Sequence, residues 1–108
     1  MKTCITCGMP FVGKHENEIA FETAEGPVCK YDGQDGKIKP AEEIFNGGVE
    51  FFAGSVTDGD RDLAARLTRK NMKALPHWQK NPFALLDGPE ATDQEFGAAM
   101  GKLTASKA

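Results

Sequence analysis

The chain has 108 residues, 40% of them hydrophobic and 27% charged, with three cysteines and a formal net charge of −3. One globular domain is the natural expectation for that length, and no apolar run approaches the roughly 18 residues of a membrane span. An odd cysteine count argues against a secreted disulfide framework, and the acidic balance argues against a nucleic-acid reader.

The charge is unevenly spread. Residues 1–57 carry five Lys against nine acidic residues, residues 58–81 six basic against three, and residues 82–108 two basic against four. Met1-Lys2-Thr3 leads straight into the first thiol, so no secretory leader is expected. Metal-binding cysteines must stay reduced, which makes the cytoplasm the expected compartment.

Cys4-Ile5-Thr6-Cys7-Gly8 has the form of a zinc knuckle: two thiols two residues apart, then a glycine suited to the positive φ that closes the turn. Met9 to Val12 should leave it as an extended segment, and Gly13 to Asn17 reads as a turn. Glu18 to Thr23 alternates as a strand, with Ile19 and Phe21 facing inward. Ala24-Glu25-Gly26-Pro27 reverses the chain and brings back Cys29-Lys30-Tyr31-Asp32, a second knuckle whose last position is a carboxylate. Gly33 to Gly36 is a further turn, and Lys37-Ile38-Lys39 a short strand.

Pro40 suits the first turn of a helix reaching about Ala53, with Ala41, Ile44, Phe45, Gly48, Val49, Phe51 and Phe52 on one face. Phe45, Phe51 and Phe52 are expected in the core, whereas Glu42, Glu43 and Glu50 should face solvent. Gly47 and Gly48 imply either a break or a close backbone approach. Asp58 or Asp60 should cap a second helix, about Arg61 to Leu75, with Leu63, Ala64, Leu67, Ala74 and Leu75 as its stripe. Arg66, Arg69, Lys70 and Lys73 lie together on its flank, a candidate partner-binding face that otherwise reads as solvated. Pro76 should stop that helix, leaving His77-Trp78 in an irregular turn with the indole over the core. Thr92 and Glu95 form a capping box opening a third helix with Phe96, Ala99, Met100 and Leu103 as its stripe, and residues 104–108 should fray.

The run Cys4-x-x-Cys7-Gly8-Met9-Pro10, followed by Val28-Cys29-Lys30-Tyr31 and later by Leu75-Pro76-His77-Trp78, resembles small bacterial zinc ribbon domain proteins. The likeness covers roughly residues 3–80. It implies a zinc ribbon fold and carries Cys4, Cys7 and Cys29 over as ligands. Asp32 stands where the family has a fourth cysteine. The family is largely uncharacterised, so the resemblance speaks to fold and metal more than to activity.

Zinc accepts a carboxylate oxygen, and position 32 is directed at the metal by the second knuckle, so Asp32 is the leading fourth ligand. His15 is the main rival, with His77 and water behind it. Three thiolates and one carboxylate around Zn²⁺ carry a formal −2, which disfavours generating hydroxide and favours a structural role. A thioredoxin-type use of Cys4 and Cys7 is disfavoured because Gly8-Met9-Pro10 prevents an immediate helix, and iron suits an oxygen-containing set less well.

The expected architecture is therefore α+β: an N-terminal zinc ribbon over residues 1–39, followed by two to three packed helices over residues 40–108 in one compact unit. The expected function is a structural Zn²⁺ module with a protein partner. The other readings are a nucleic-acid-associated factor using the basic helix face, or an enzyme with an open zinc site. A homodimer is a further option.

Overall fold

The computed structural model describes residues 2–106. It is α+β, with short antiparallel strands first and packed helices after them. A bridge between Thr3 and Pro10 closes the loop that holds the first two cysteines. A single 3-10 turn at Gly13–His15 leads into β1, Ile19–Thr23, which pairs with β2, Gly26–Cys29. Ile19 lies opposite Cys29, and an irregularity in register follows between Ile19 and Phe21. The short strand expected near Lys37 is present as β4 (Lys37–Ile38), and it pairs with β3 (Gly33–Gln34), which lies within the stretch expected to be only a turn. Asp35 and Gly36 turn it with φ of 55° and 76°; Asp tolerates that region better than most side chains, and glycine has no Cβ to clash.

Helix α1 spans Ala41–Ser55 with Pro40 immediately before it, close to the expected bounds. Ile44, Phe45, Val49, Phe52 and Ala53 are buried. Phe51, expected in the core, is 51% exposed and meets Phe52 edge-on at 5.5 Å between ring centres. The apolar face of α1 is wider than the surface that covers it, so one of its three phenylalanines stays outside. The two glycines do not break the helix. A Cβ on Gly48 would lie 2.8 Å from Thr68 Cγ2, whereas one on Gly47 would meet nothing within 4 Å. Gly48 is the close approach, where α1 crosses the next helix.

Helix α2, Arg61–Lys73, is capped by Asp60, whose side chain accepts from the Leu63 amide at 3.1 Å. It ends two residues earlier than expected. Its buried positions are Ala64, Leu67, Thr68 and Met72, while Ala74 is exposed because the chain has already left the helix. Thr68 is tolerated inside because its hydroxyl donates to the Ala64 carbonyl at 2.8 Å.

The His77-Trp78 segment corrects the expectation of an irregular turn. Pro76 ends nothing; it starts a short helix α3, Pro76–Lys80, since a residue without an N–H fits the first helical position. A 3-10 turn at Ala84–Leu86 follows, and then α4, Asp93–Ser106. The capping box is present: the Thr92 amide donates to Glu95 at 2.9 Å, and the Glu95 amide donates to Thr92 Oγ1 at 3.0 Å. The backbone is helical through Ser106, so fraying does not begin at 104; Lys107 and Ala108 lie outside the described residues.

Two apolar clusters result. The larger joins α1, α2, Trp78, Leu86, Ala91 and Ala99, with Phe96, Met100 and Leu103 packed at its edge. The smaller sits under the strands and consists of Cys4, Phe11 and Cys29, with Cys7, Met9 and Ile19 against them. Among the described residues, no helix is long and apolar enough to cross a membrane.

Candidate metal centre

Each donor of the small cluster is placed by a local feature of the sequence. In the first knuckle the Gly8 amide bonds the Cys4 carbonyl at 2.8 Å, and the Cys4 amide bonds the Met9 carbonyl at 2.9 Å. Gly8 has φ 77°, the turn-closing conformation that its lack of Cβ permits. Cys29 is the last residue of β2, and the Ile5 amide bonds Pro27 at 3.0 Å, which sets that strand beside the first knuckle. The Asp32 amide bonds the Cys29 carbonyl at 3.2 Å and its own carbonyl accepts from Lys39 at 2.8 Å, so the second turn is pinned from both sides.

These turns bring Cys4, Cys7, Cys29 and Asp32 together with one ligand atom from each, all within 4.8 Å of one another. Cys4 and Cys29 are fully buried and Asp32 is 8% exposed; Cys7 is the partly accessible member. The Cys7 and Cys29 sulfurs are 3.8 Å apart, and Cys4 Sγ lies 3.9 Å from Asp32 Oδ2. Donors around a tetrahedral ion with metal–sulfur bonds of about 2.3 Å lie about 3.8 Å apart. The Cys7–Cys29 spacing therefore fits two sulfurs sharing one ion and is far from the roughly 2.05 Å of a disulfide.

The electrostatics point the same way. Burial pushes the Asp32 carboxyl up. Contact with Cys29 and then Cys4 drives the Cys7 thiol far up, and contact with Cys4 holds Cys29 at about 12. Cys4, hydrogen-bonded by the other two thiols, is driven down. One negative charge is thus stabilised here at the expense of the others. For all four donors to ionise together, a cation must share the site.

Residues outside the four donors support the cluster, and Thr6 among them carries no signal in the sequence. Thr6, fully buried between the two cysteines, donates to Asp32 Oδ2 at 2.6 Å and lies 3.1 Å from Cys4 Sγ. The Cys29 amide donates to Cys4 Sγ at 3.3 Å, an amide-to-sulfur contact reaching across from the second knuckle. From the helical side, Asn71 Nδ2 donates to the Cys7 carbonyl at 2.8 Å, and the Trp78 indole donates to the Thr6 carbonyl at 2.9 Å. These two bonds span 64 and 72 residues, a separation no local pattern can reveal.

Neither histidine belongs to the group of four. His15 bonds Glu18, and His77 bonds Glu25 at 3.1 Å while meeting the Trp78 ring edge-on at 4.6 Å.

Arg66, Arg69, Lys70 and Lys73 of α2 are brought together, and each engages the segment that follows α3. Arg66 pairs with Asp62 at 3.1 Å and Glu95 at 2.7 Å. Arg69 donates to the carbonyls of Leu85 and Pro89 and stacks over Phe45. Lys70 pairs with Asp93 at 2.6 Å, and Lys73 with Glu90 at 2.9 Å.

No family model matches the chain, and no curated protein or solved structure matches it either. The case for a function therefore stands on the geometry and chemistry of the site itself.

Proposed function

We propose that this is a zinc protein of the ribbon type, akin to the zinc ribbon domain proteins its opening motif resembles, with Cys4, Cys7, Cys29 and Asp32 holding one structural Zn²⁺. The carrying observation is the convergence of three sulfurs and one carboxylate oxygen within 4.8 Å of one another, with two of the spacings at 3.8 and 3.9 Å. Thiolates with one carboxylate suit zinc, whose geometry is tetrahedral and whose ligands are drawn from Cys, His, Asp and Glu. A structural role follows from the donor count: four protein ligands leave no open position, and their combined charge makes the ion a weak Lewis acid.

The zinc ties the two strand-borne knuckles together beneath the helices that bond to Thr6 and Cys7. Such a stapled, catalytically closed platform suits a module that presents a surface to another protein. A nucleic-acid contact through α2 draws less support, because Arg66, Arg69, Lys70 and Lys73 already engage acidic side chains or carbonyls of this chain.

Cobalt substitution tests the coordination. Co²⁺ bound to the full chain should give strong visible d–d bands of a tetrahedral site and a thiolate charge-transfer band scaling with three sulfurs. Weak octahedral bands would contradict the reading.

A further inference from the structure

We propose that Thr6 is a positioning residue for the metal: its hydroxyl fixes the Asp32 carboxylate as the single oxygen donor and thereby sets the preference of the site for zinc over softer ions. This rests on the zinc reading above. Thr6 is fully buried, and its Oγ1 sits 2.6 Å from Asp32 Oδ2 and 3.1 Å from Cys4 Sγ. A threonine hydroxyl has one proton to give, and an ionised carboxylate can only accept. The shorter contact therefore takes the proton, in a charge-assisted bond.

That bond has two consequences. It stops rotation of the carboxylate, since Oδ2 is tethered while the backbone of residue 32 is held by Cys29 and Lys39. It also holds Oδ2 on the sulfur side of the cluster, 3.9 Å from Cys4 Sγ. Thr6 is held in its turn, because its carbonyl accepts the buried Trp78 indole at 2.9 Å. Three thiolates alone suit soft ions such as cadmium or Cu⁺, and a fixed oxygen shifts the balance toward zinc.

The test is a pair of affinities, zinc and cadmium, measured by competition with a chromophoric chelator on the full chain. Thr6→Val, which keeps the shape and loses the hydroxyl, should weaken zinc about 10–100-fold and cadmium less, the usual consequence of removing an outer hydrogen bond to a ligand. Thr6→Ser should restore the parent's zinc-to-cadmium ratio. In an Asp32→Ala background, Thr6→Val should cause no further loss of zinc affinity. Equal zinc affinity in Thr6→Val and parent would overturn the proposal, as would an undiminished effect without Asp32, which would mean that Thr6 acts through packing. Should Thr6→Val fail to fold, Thr6→Ser decides: a fall in ratio to that of Asp32→Ala overturns the proposal. A parent chain that binds no zinc would instead overturn the zinc reading itself.

Discussion

Cys7 differs from the other donors in being partly exposed, and its carbonyl is bonded from α2 by Asn71. Cys7→Ser should lose the metal and cost at least about 2 kcal/mol, a fall in melting temperature of about 8–15 °C for a domain of this size. Calorimetry of both chains as purified checks this, and a variant that melts like the parent with a full complement of zinc contradicts it. Asp32→Cys should keep the metal and bind it more tightly in chelator competition, because it supplies a fourth thiolate; loss of metal there would mean position 32 does not serve the site. Glu18 gives a pH prediction. The Tyr31 hydroxyl first, then His15, hold its carboxyl down at about 2. A depressed carboxylate contributes stability above its unfolded value of 4.5, and that contribution is lost as pH falls through the folded value. The parent's advantage over Glu18→Gln should therefore be full at neutral pH and gone by about pH 2. Acid release of metal affects both chains alike, so the difference between their denaturation profiles isolates Glu18. At this scale the sequence was informative wherever spacing carries chemistry, as with Cys4, Cys7, Cys29 and Asp32. It was silent on Thr6, because a hydroxyl between two cysteines looks like any loop residue until the fold puts a carboxylate 2.6 Å away.

Among the elements, the crossing of α1 and α2 makes neighbouring glycines behave oppositely. Gly47→Ala meets open space and should stabilise by up to about 1 kcal/mol, the ordinary helix-interior difference between the two residues. Gly48→Ala places a methyl 2.8 Å from Thr68 Cγ2 and should destabilise, since Thr68 is buried and its hydroxyl is committed to Ala64. Thermal melts of the two variants with zinc present check the sign of each; a Gly48→Ala chain as stable as Gly47→Ala would mean the helices can separate at no cost. Local signals located α1 and the Thr92–Glu95 box, and narrowed the α2 cap to Asp58 or Asp60, because each works within one turn of helix. They misplaced Phe51 and Ala74 because periodicity names an apolar face without saying how much of it a neighbour covers. Pro76 was ambiguous for a related reason, since a proline can either follow one helix or begin another.

In the whole molecule, the helices meet the strand-bearing half at the first cysteine loop: Trp78 and Asn71 bond the two peptide carbonyls at Thr6 and Cys7. Trp78 is the sole tryptophan, 4% exposed, so its fluorescence reports on that junction. Chelation of the metal should red-shift and alter its emission, and Asn71→Ala, which removes a bond worth about 0.5–1.5 kcal/mol, should make the shift occur at lower chelator concentration. The C-terminal segment is fastened elsewhere, by Lys70–Asp93, Lys73–Glu90 and Arg66–Glu95, and by Lys102 donating to the Val56 carbonyl at the end of α1. Removing residues 88–108 should leave zinc bound but lower the melting temperature, because Ala91 and Ala99 leave the larger core. Both junctions join residues far apart in the chain, which is why the α+β class could be read from the sequence while the way its halves interlock could not.

Metal content decides whether three cysteines and Asp32 hold zinc, and elemental analysis of anaerobically purified parent and Asp32→Ala chains measures it. One zinc per parent chain is expected, with a reduced or absent complement in the variant. A parent without metal, or a variant that retains its zinc in full, would contradict a site built from those four donors.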